Sequence, residues 1–478
     1  MDLSNYLLMK HELSLVVVFL LLIIYDIFAS DSAKKYYFPV ACTLFLAHTV
    51  AGFFFKDTGE SFAGMYVTGP AYYTIKNILN IGVFLIMLQA NSWLSRPDAI
   101  AKRGEFFMLT ILTLIGMNLM ISSGHFLLFY IGLETASLPI AALVAFNKYQ
   151  EKSAEAGVKY IFNAIFSSGV MLFGLSFLYG ACGTLYYTDM NLAMASSPLV
   201  IMAMIFMLSG LFFKISLVPF HLWAPDTYEG APTAVTLYLS TISKGASVFA
   251  LMSILYHVFP ALAETWQSFL WVVILVTMTI GNLFALRQKN MKRFLAFSSI
   301  SQAGYIMLSV FTGTSMGMAA AIFYVFVYVF SNLAAFGVII AIENQTGKVN
   351  MNDYNGLYRT NPKLALAMMM AMFSLGGIPF TAGFFSKMFV FMAAAEPMTT
   401  SNIVLVVLAF LNTIISLFYY LLVVKAMFIT PNKNPIEKLS TDNYLKASLV
   451  ISMIGIGFVG IISWFYQYID AASFGMLN

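Results

Sequence analysis

The sequence predicts an all-α polytopic membrane protein of about 14 transmembrane helices. Three observations carry that prediction. Of 478 residues, 60% are hydrophobic and 10% charged, a charge density too low for the surface of a water-soluble chain of this length. Apolar runs of bilayer length recur from one end to the other, each long enough to span the hydrocarbon core as a helix. The basic residues collect in every second loop, as the positive-inside rule requires.

In order, the first spans fall at roughly 12–29, 36–55, 72–90, 105–122, 126–146 and 157–180. The next fall at roughly 199–219, 233–259, 266–286 and 294–312, and the last at roughly 316–342, 363–395, 401–430 and 443–468. The first run, Leu13–Phe28, lacks a basic stretch before it and reads as a retained helix. The twelfth is too long for one straight helix, and Gly376-Gly377-Ile378-Pro379 interrupts it. The seventh is stopped by Pro219, a turn-rich connection carries His221 through Gly230, and Pro232 opens the eighth. Eighteen of the 25 Lys and Arg lie in or beside loops that follow odd-numbered spans, against Lys10, Lys56 and Lys76 on the other side. This places both termini on the non-cytoplasmic, periplasmic face of the cell inner membrane.

Composition also excludes functions. The net charge of +4 is spread over separate short loops and points to no nucleic-acid partner. The two cysteines, Cys42 and Cys182, are far apart, which leaves no set for an iron–sulfur cluster or a Cys-based zinc site. His11, His48, His125, His221 and His257 show no metal-ligand spacing, so no metal is expected. No phosphate-cradling glycine loop is present, so neither NADH nor flavin nor any other cofactor is expected in this chain.

The chemistry lies in charges within the apolar spans. Glu134 is the one carboxylate read at the middle of a span, and Lys159, Lys214, Lys244 and Lys387 lie in or at the edge of spans. A lysine inside a hydrophobic helix costs roughly 3 kcal/mol or more and marks a hydrated path. A carboxylate near it favours the ammonium, so moving that charge switches the lysine between holding and releasing a proton. One acid beside several such bases is a minimal proton relay, with protons and the lipid bilayer as its partners. His221, between Lys214 and Lys244 in the chain, is of the type that passes protons near neutral pH. The competing reading makes Glu134 and Lys159 static ion pairs and His221 a hydrogen bond that secures the broken helix. Tyr324 and Tyr328 share a face of the eleventh span, where packing is the simpler reading. Leu217-Val218-Pro219-Phe220 and Gly377-Ile378-Pro379-Phe380 break helices five places apart. An odd offset reverses the chain direction, the mark of an inverted repeat.

The run LFFKISLVPFHLWAPDTYEGAPTAVTLYLSTISK, residues 211–244, closely resembles the antiporter-like membrane subunits of respiratory complex I. Its YEGAPT ending resembles the subunit N branch of that family. GGIPFTAGFFSKMFVF and QKNMKRFLAFSSISQAGY resemble its broken twelfth helix and its tenth helix. The resemblance, over roughly 105–430, implies two inverted five-helix repeats with broken seventh and twelfth helices. The division it implies is 1–104 for helices 1–3, 105–260 for the first repeat, 261–430 for the second and 431–478 for helix 14. It implies a place in a proton-pumping NADH:quinone oxidoreductase beside other membrane-arm subunits, including other antiporter-like ones. NADH, flavin, iron–sulfur clusters and quinone would then sit in partner subunits. It also implies that Glu134 and Lys214 form an acid–lysine pair, that Lys244 continues a central polar axis, that Lys387 lies on the exit side and that Lys159 is the sixth-helix lysine. A subunit of a multisubunit sodium/proton antiporter is the alternative, and a static membrane scaffold a third.

Overall fold

The structure is a computed structural model that describes residues 4–97, 99–193, 196–460 and 463–476. It is a bundle of helices with one small hairpin, Gly59–Ser61 paired antiparallel with Tyr66–Thr68. Among the described residues, ten helices are long and apolar enough to cross a membrane. They are Lys10–Phe28, Pro70–Leu94, Ile100–Ile121, Phe126–Val144, Glu151–Cys182, Pro198–Ile215, Thr233–His257, Pro260–Ala285, Ser315–Thr346 and Thr400–Phe428. Tyr37–Gly52, Pro362–Gly376, Ala382–Ala395 and Asn443–Phe458 are shorter apolar helices. The last expected span, 443–468, is divided into Asn443–Phe458 and Ser463–Ala472, and residues 461 and 462 within it lie outside the described residues.

Met291–Val310 is long enough to cross but carries Ser298, Ser299, Ser301 and Gln302, so its mean hydropathy is low. All four are buried, so this helix hides a polar face inside the bundle rather than presenting an apolar one to lipid. The long Thr233–His257 and Ser315–Thr346 helices beside it are buried along their whole apolar stretch. Helices at the rim, such as Glu151–Cys182, expose Phe162, Phe166 and Phe173 outward, as lipid-facing surfaces do.

Both expected breaks are present, and they are closed the same way. Pro198–Ile215 ends at Ser216, which takes the left-handed conformation at φ 65. Leu217 N–H then donates to Phe212 O at 2.9 Å. Pro362–Gly376 ends at Gly377, φ 80, and Ile378 N–H donates to Phe373 O at 2.9 Å. This pairing caps the last carbonyls of each half-helix. Trp223 Nε1–H donates to Phe213 O at 2.9 Å and adds to the first cap. One expectation is corrected here. The residues after the first break are not a turn-rich connection: Trp223–Gly230 is a second half-helix. Pro225 sits in its first turn, where a missing N–H costs nothing, beside Asp226, which complements the helix dipole.

Loops sort onto two faces. On one, the hairpin residue Tyr66 bridges to Ser123 and His125 to Tyr186, and Met476 N–H donates to Gly313 O. Tyr6 near the start packs on Phe62, and Phe474 near the end packs on Tyr72. The described ends of the chain therefore share the hairpin face. On the other, Asn290 bridges to Asn350, Arg96 donates to Asn344, and Lys152 pairs with Glu229.

Candidate functional site

Glu134 is positioned by a close helix crossing. A Cβ on Gly116 would stand 2.4 Å from Ala136 N, and one on Gly132 2.6 Å from Met120 N, so only glycine lets these backbones approach. Pro139, inside the same helix, has no N–H for the Thr135 carbonyl to accept from. Glu134 is half-buried and faces the Tyr130 hydroxyl. Its charge acts on Lys214 and Tyr160, but among the described residues it forms no ion pair with Lys214. The Lys214 ammonium donates instead to Tyr160 Oη at 3.0 Å.

Lys214, Lys244 and Lys387 are 5%, 3% and 4% exposed, and none of the three touches a carboxylate among the described residues. Each ammonium faces a tyrosine ring: Tyr160 at 5.7 Å, Tyr228 at 5.9 Å and Tyr305 at 4.9 Å respectively. Such rings stabilise a desolvated cation without fixing its charge as a carboxylate would. Lys214 occupies the last turn of its half-helix, and Lys387 donates to Gly376 O at 3.1 Å, the end carbonyl of another. A helix C-terminus favours a cation by about 0.3–2 kcal/mol. The two broken helices thus serve the same end from opposite sides, with Lys214 before its break and Lys387 after its own. Lys244 follows a wide π turn over Leu239–Ser243 and donates to Ser299 O at 3.1 Å. Such turns interrupt regular helix hydrogen bonding and gather at functional positions.

A polar line joins Lys244 to Lys387. Next to Ser299, Ser298 bonds the Tyr420 hydroxyl. Gln302 donates to Tyr420 Oη at 3.0 Å and to Leu375 O at 3.1 Å, one residue before the carbonyl that holds Lys387. Tyr324 donates to Gln302 Oε1, so it belongs to this line and is more than packing. The hydroxyls of Tyr228 and Tyr328 face Ser299, the serine that holds Lys244, while the buried Thr227 hydroxyl has no hydrogen-bond partner, the condition under which buried water completes hydrogen bonding. Sequence reasoning missed Ser298, Ser299, Gln302 and Tyr420. Ser298 and Gln302 stand four residues apart, hence on one helix face, a signal that was legible in the tenth span.

The other expected residues lie apart. Lys159 is half-exposed and pairs with Asp226 at 2.7 Å and Glu155 at 2.6 Å. Arg293 joins that network through Asp226 and Glu229. His221 is buried with Nδ1 unpartnered, and it contacts neither Lys214 nor Lys244. Glu12 is a second buried acid, placed in the first turn of its helix rather than at the middle of a span. Glu12 forms a buried ion pair at 2.6 Å with Lys76, a residue the loop count had placed at a helix flank. Pro70 starts that helix six residues earlier, which carries Lys76 inside. No group of three His, Cys, Asp or Glu that suits a metal occurs among the described residues.

Residues 123–416 match the family described as NADH:quinone oxidoreductase/Mrp antiporter, TM. A NADH-quinone oxidoreductase subunit N of Azobacteroides pseudotrichonymphae genomovar. CFP2 is 53% identical over 482 residues, covering 100% of each chain. The chain belongs to the subunit N family of NADH-quinone oxidoreductases. It is a multi-pass membrane protein, as that family is. Its structure is similar to a chain of respiratory complex I from Thermus thermophilus, with TM-score 0.80 and 29% identity over 97% of this chain and 100% of that one. A chain of the Mrp complex from Dietzia sp. DQ12-45-1b shares the fold, with TM-score 0.84 and 20% identity over 99% and 97%.

The Asp226 network carries a pH dependence. Burial raises the Asp226 carboxyl, but hydrogen bonds from Lys159 and Arg293 outweigh it and hold it below the usual aspartate value. Glu229, also opposed by burial, is held low by Lys152 and Arg293. A carboxyl lowered on folding adds stability above its unfolded pKa of about 4 and loses it as pH falls through the folded value. Asp226→Asn should therefore lower the melting temperature modestly at neutral pH and shrink the further drop on acidification to about pH 3. Scanning fluorimetry of the purified protein measures both, and an unchanged acid drop would contradict the assignment.

Proposed function

We propose that the chain is a proton-translocating membrane subunit of an NADH:quinone oxidoreductase. The observation that carries this reading is the set of three buried lysines with no direct carboxylate partner among the described residues, two of them at either end of a run of neighbouring buried polar groups. A lysine held by tyrosine rings and carbonyls, rather than by a salt bridge, is free to lose and regain a proton as a nearby charge changes. In this reading Glu134 supplies that charge to Lys214, Lys244 relays the proton and Lys387 passes it out. Lys159 acts at the surface end through Asp226, and His221 serves the broken helix. Electron transfer, with NADH, flavin, iron–sulfur clusters and quinone, takes place in partner subunits, which include other antiporter-like chains. The alternative, a sodium/proton antiporter subunit, shares the fold, but the 53% identity to a subunit N supports the oxidoreductase.

The matching closures at Ser216 and Gly377 support two inverted repeats at 105–260 and 261–430. The shared face of the described ends supports placing both termini on the periplasmic side of the cell inner membrane. Residues 1 and 478 themselves lie outside the described residues. Tags placed there should be reached from the periplasm in intact cells, and labelling only after the inner membrane is opened would reverse the orientation.

Substitution at Glu134 tests the mechanism. Glu134→Gln keeps the shape and removes the charge, whereas Glu134→Asp keeps the charge on a shorter arm. NADH-driven proton translocation in reconstituted vesicles should fall in the order wild type, Asp, Gln, with Gln losing most of it and membrane assembly alike in all three. Equal pumping by the Gln variant would make Glu134 a packing residue.

A further inference from the structure

One buried charge cluster takes no part in the lysine line. Glu12 on Lys10–Phe28 and Lys76 on Pro70–Leu94 are 2% and 0% exposed, and they pair at 2.6 Å. The hairpin's Tyr66 donates its hydroxyl to Glu12 Oε2 at 2.8 Å and accepts from Lys76 at 3.1 Å. Every polar atom of this triad has a partner, so taken alone it is a static clamp between two helices and the hairpin.

Its surroundings do not fit a clamp. His11, adjacent to Glu12, is 4% exposed and its ring lies against Phe55, whose backbone is its nearest polar partner. His48, on Tyr37–Gly52, meets Ser14 Oγ through Nδ1 at 2.8 Å and also faces the Asn80 side chain. Asn80, one turn beyond Lys76, faces His48, and Asn77 leaves its carbonyl oxygen unpaired. Asn77 and His11 share one space, since a Cβ on Gly52 would stand 2.5 Å from Asn77 Oδ1 and 3.1 Å from His11 Cε1, and His48 and Asn80 face each other on the same two helices as Gly52 and Asn77. A buried polar group left unpaired costs about 1–3 kcal/mol. A polar space that leaves such an atom is therefore a site for water. The other charges nearby are Lys10 and Asp57, paired at 2.9 Å on the exposed rim, Lys56 beside Asn77, Glu60 on the hairpin, and the phenol of Tyr72 on the Lys76 helix. The Arg103–Ile121 helix, packed against Lys10–Phe28, carries its charges Arg103 and Glu105 at its far end.

We propose that Glu12, with Lys76, Tyr66, His11 and His48, forms a second proton-holding site, hydrated and loaded from the hairpin face. It lies ahead of the family-matched segment 123–416 and rests on the proton-translocating reading above. One proton from solvent reaches a ring nitrogen of His11 through the water and passes to Glu12, which becomes a carboxylic acid beside the Lys76 ammonium. The triad gains one positive charge, and return of that proton to water restores the ion pair. Lys76 holds the acid in place, and its own proton does not leave.

The test uses the assembled complex in vesicles and reads protons moved per electron during NADH oxidation. Glu12→Gln combined with Lys76→Met removes both charges and leaves no buried charge uncompensated. His11→Asn keeps the ion pair and removes the base. Both variants should assemble and lose about twofold or more in protons per electron. Wild-type ratios in both would overturn the proposal, because a static clamp predicts that result. Glu134→Gln runs alongside: its loss of pumping beside wild-type ratios in both variants would overturn this proposal and leave the proton-translocating reading standing. If neither variant assembles, dicyclohexylcarbodiimide applied to the unmodified complex decides, since it attacks protonated buried carboxyls. Mass-spectrometric labelling of Glu12 that rises as pH falls supports the proposal, and an unlabelled Glu12 contradicts it.

Discussion

An ammonium group inside a helix bundle must find electron-rich partners, because the surrounding hydrocarbon offers none. Lys214, Lys244 and Lys387 meet that requirement without a direct carboxylate partner among the described residues. Their partners are tyrosine rings, a tyrosine hydroxyl and carbonyl oxygens. A regular helix spends its carbonyls on itself, so interrupting one frees some, as Gly376 O is free for Lys387, while Lys244 takes Ser299 O from within a helix. The left-handed residues Ser216 and Gly377 mark the two breaks, and each resulting helix C-terminus stands beside a lysine.

The choice of partner sets what each lysine does. Lys76 lies against Glu12 and Tyr66, so its charge is fixed by direct ionic hydrogen bonds. The three lysines of the central line have softer partners, and their charge answers to changes at a distance, such as those at Glu134. The polar tenth helix supplies the continuity between Lys244 and Lys387. Ser298, Ser299 and Gln302 are affordable in a membrane-buried helix only because Tyr420, Tyr324 and the Leu375 carbonyl satisfy them.

Much of this architecture is legible in sequence because hydropathy and helix breakers are local signals. Gly376-Gly377-Ile378-Pro379 announces a break, and the basic loops announce which connections share a face. The Trp223–Gly230 half-helix was not legible, because Pro225 and Gly230 read as turn formers until the helix start is known. The Glu12–Lys76 pair joins residues 64 positions apart, and nothing local marks Lys76 as buried rather than flanking. The separation of Glu134 from Lys214 is likewise tertiary: sequence gives the charges but not that Tyr160 takes the near position. Lys159 reads as an intramembrane lysine, yet the partners that hold it at the surface, Asp226 and Glu155, are seen only once the helices are packed.

The central claim is that the buried lysines release protons and are more than fixed charges. Lys214→Arg tests it most directly, because arginine preserves the cation at the helix C-terminus and a donor for Tyr160 but hardly ever deprotonates. The quantity to measure is protons translocated per electron during NADH oxidation by the reconstituted complex. The account predicts an assembled complex with a strongly reduced ratio. A wild-type ratio in Lys214→Arg would contradict it and leave Lys214 a static charge.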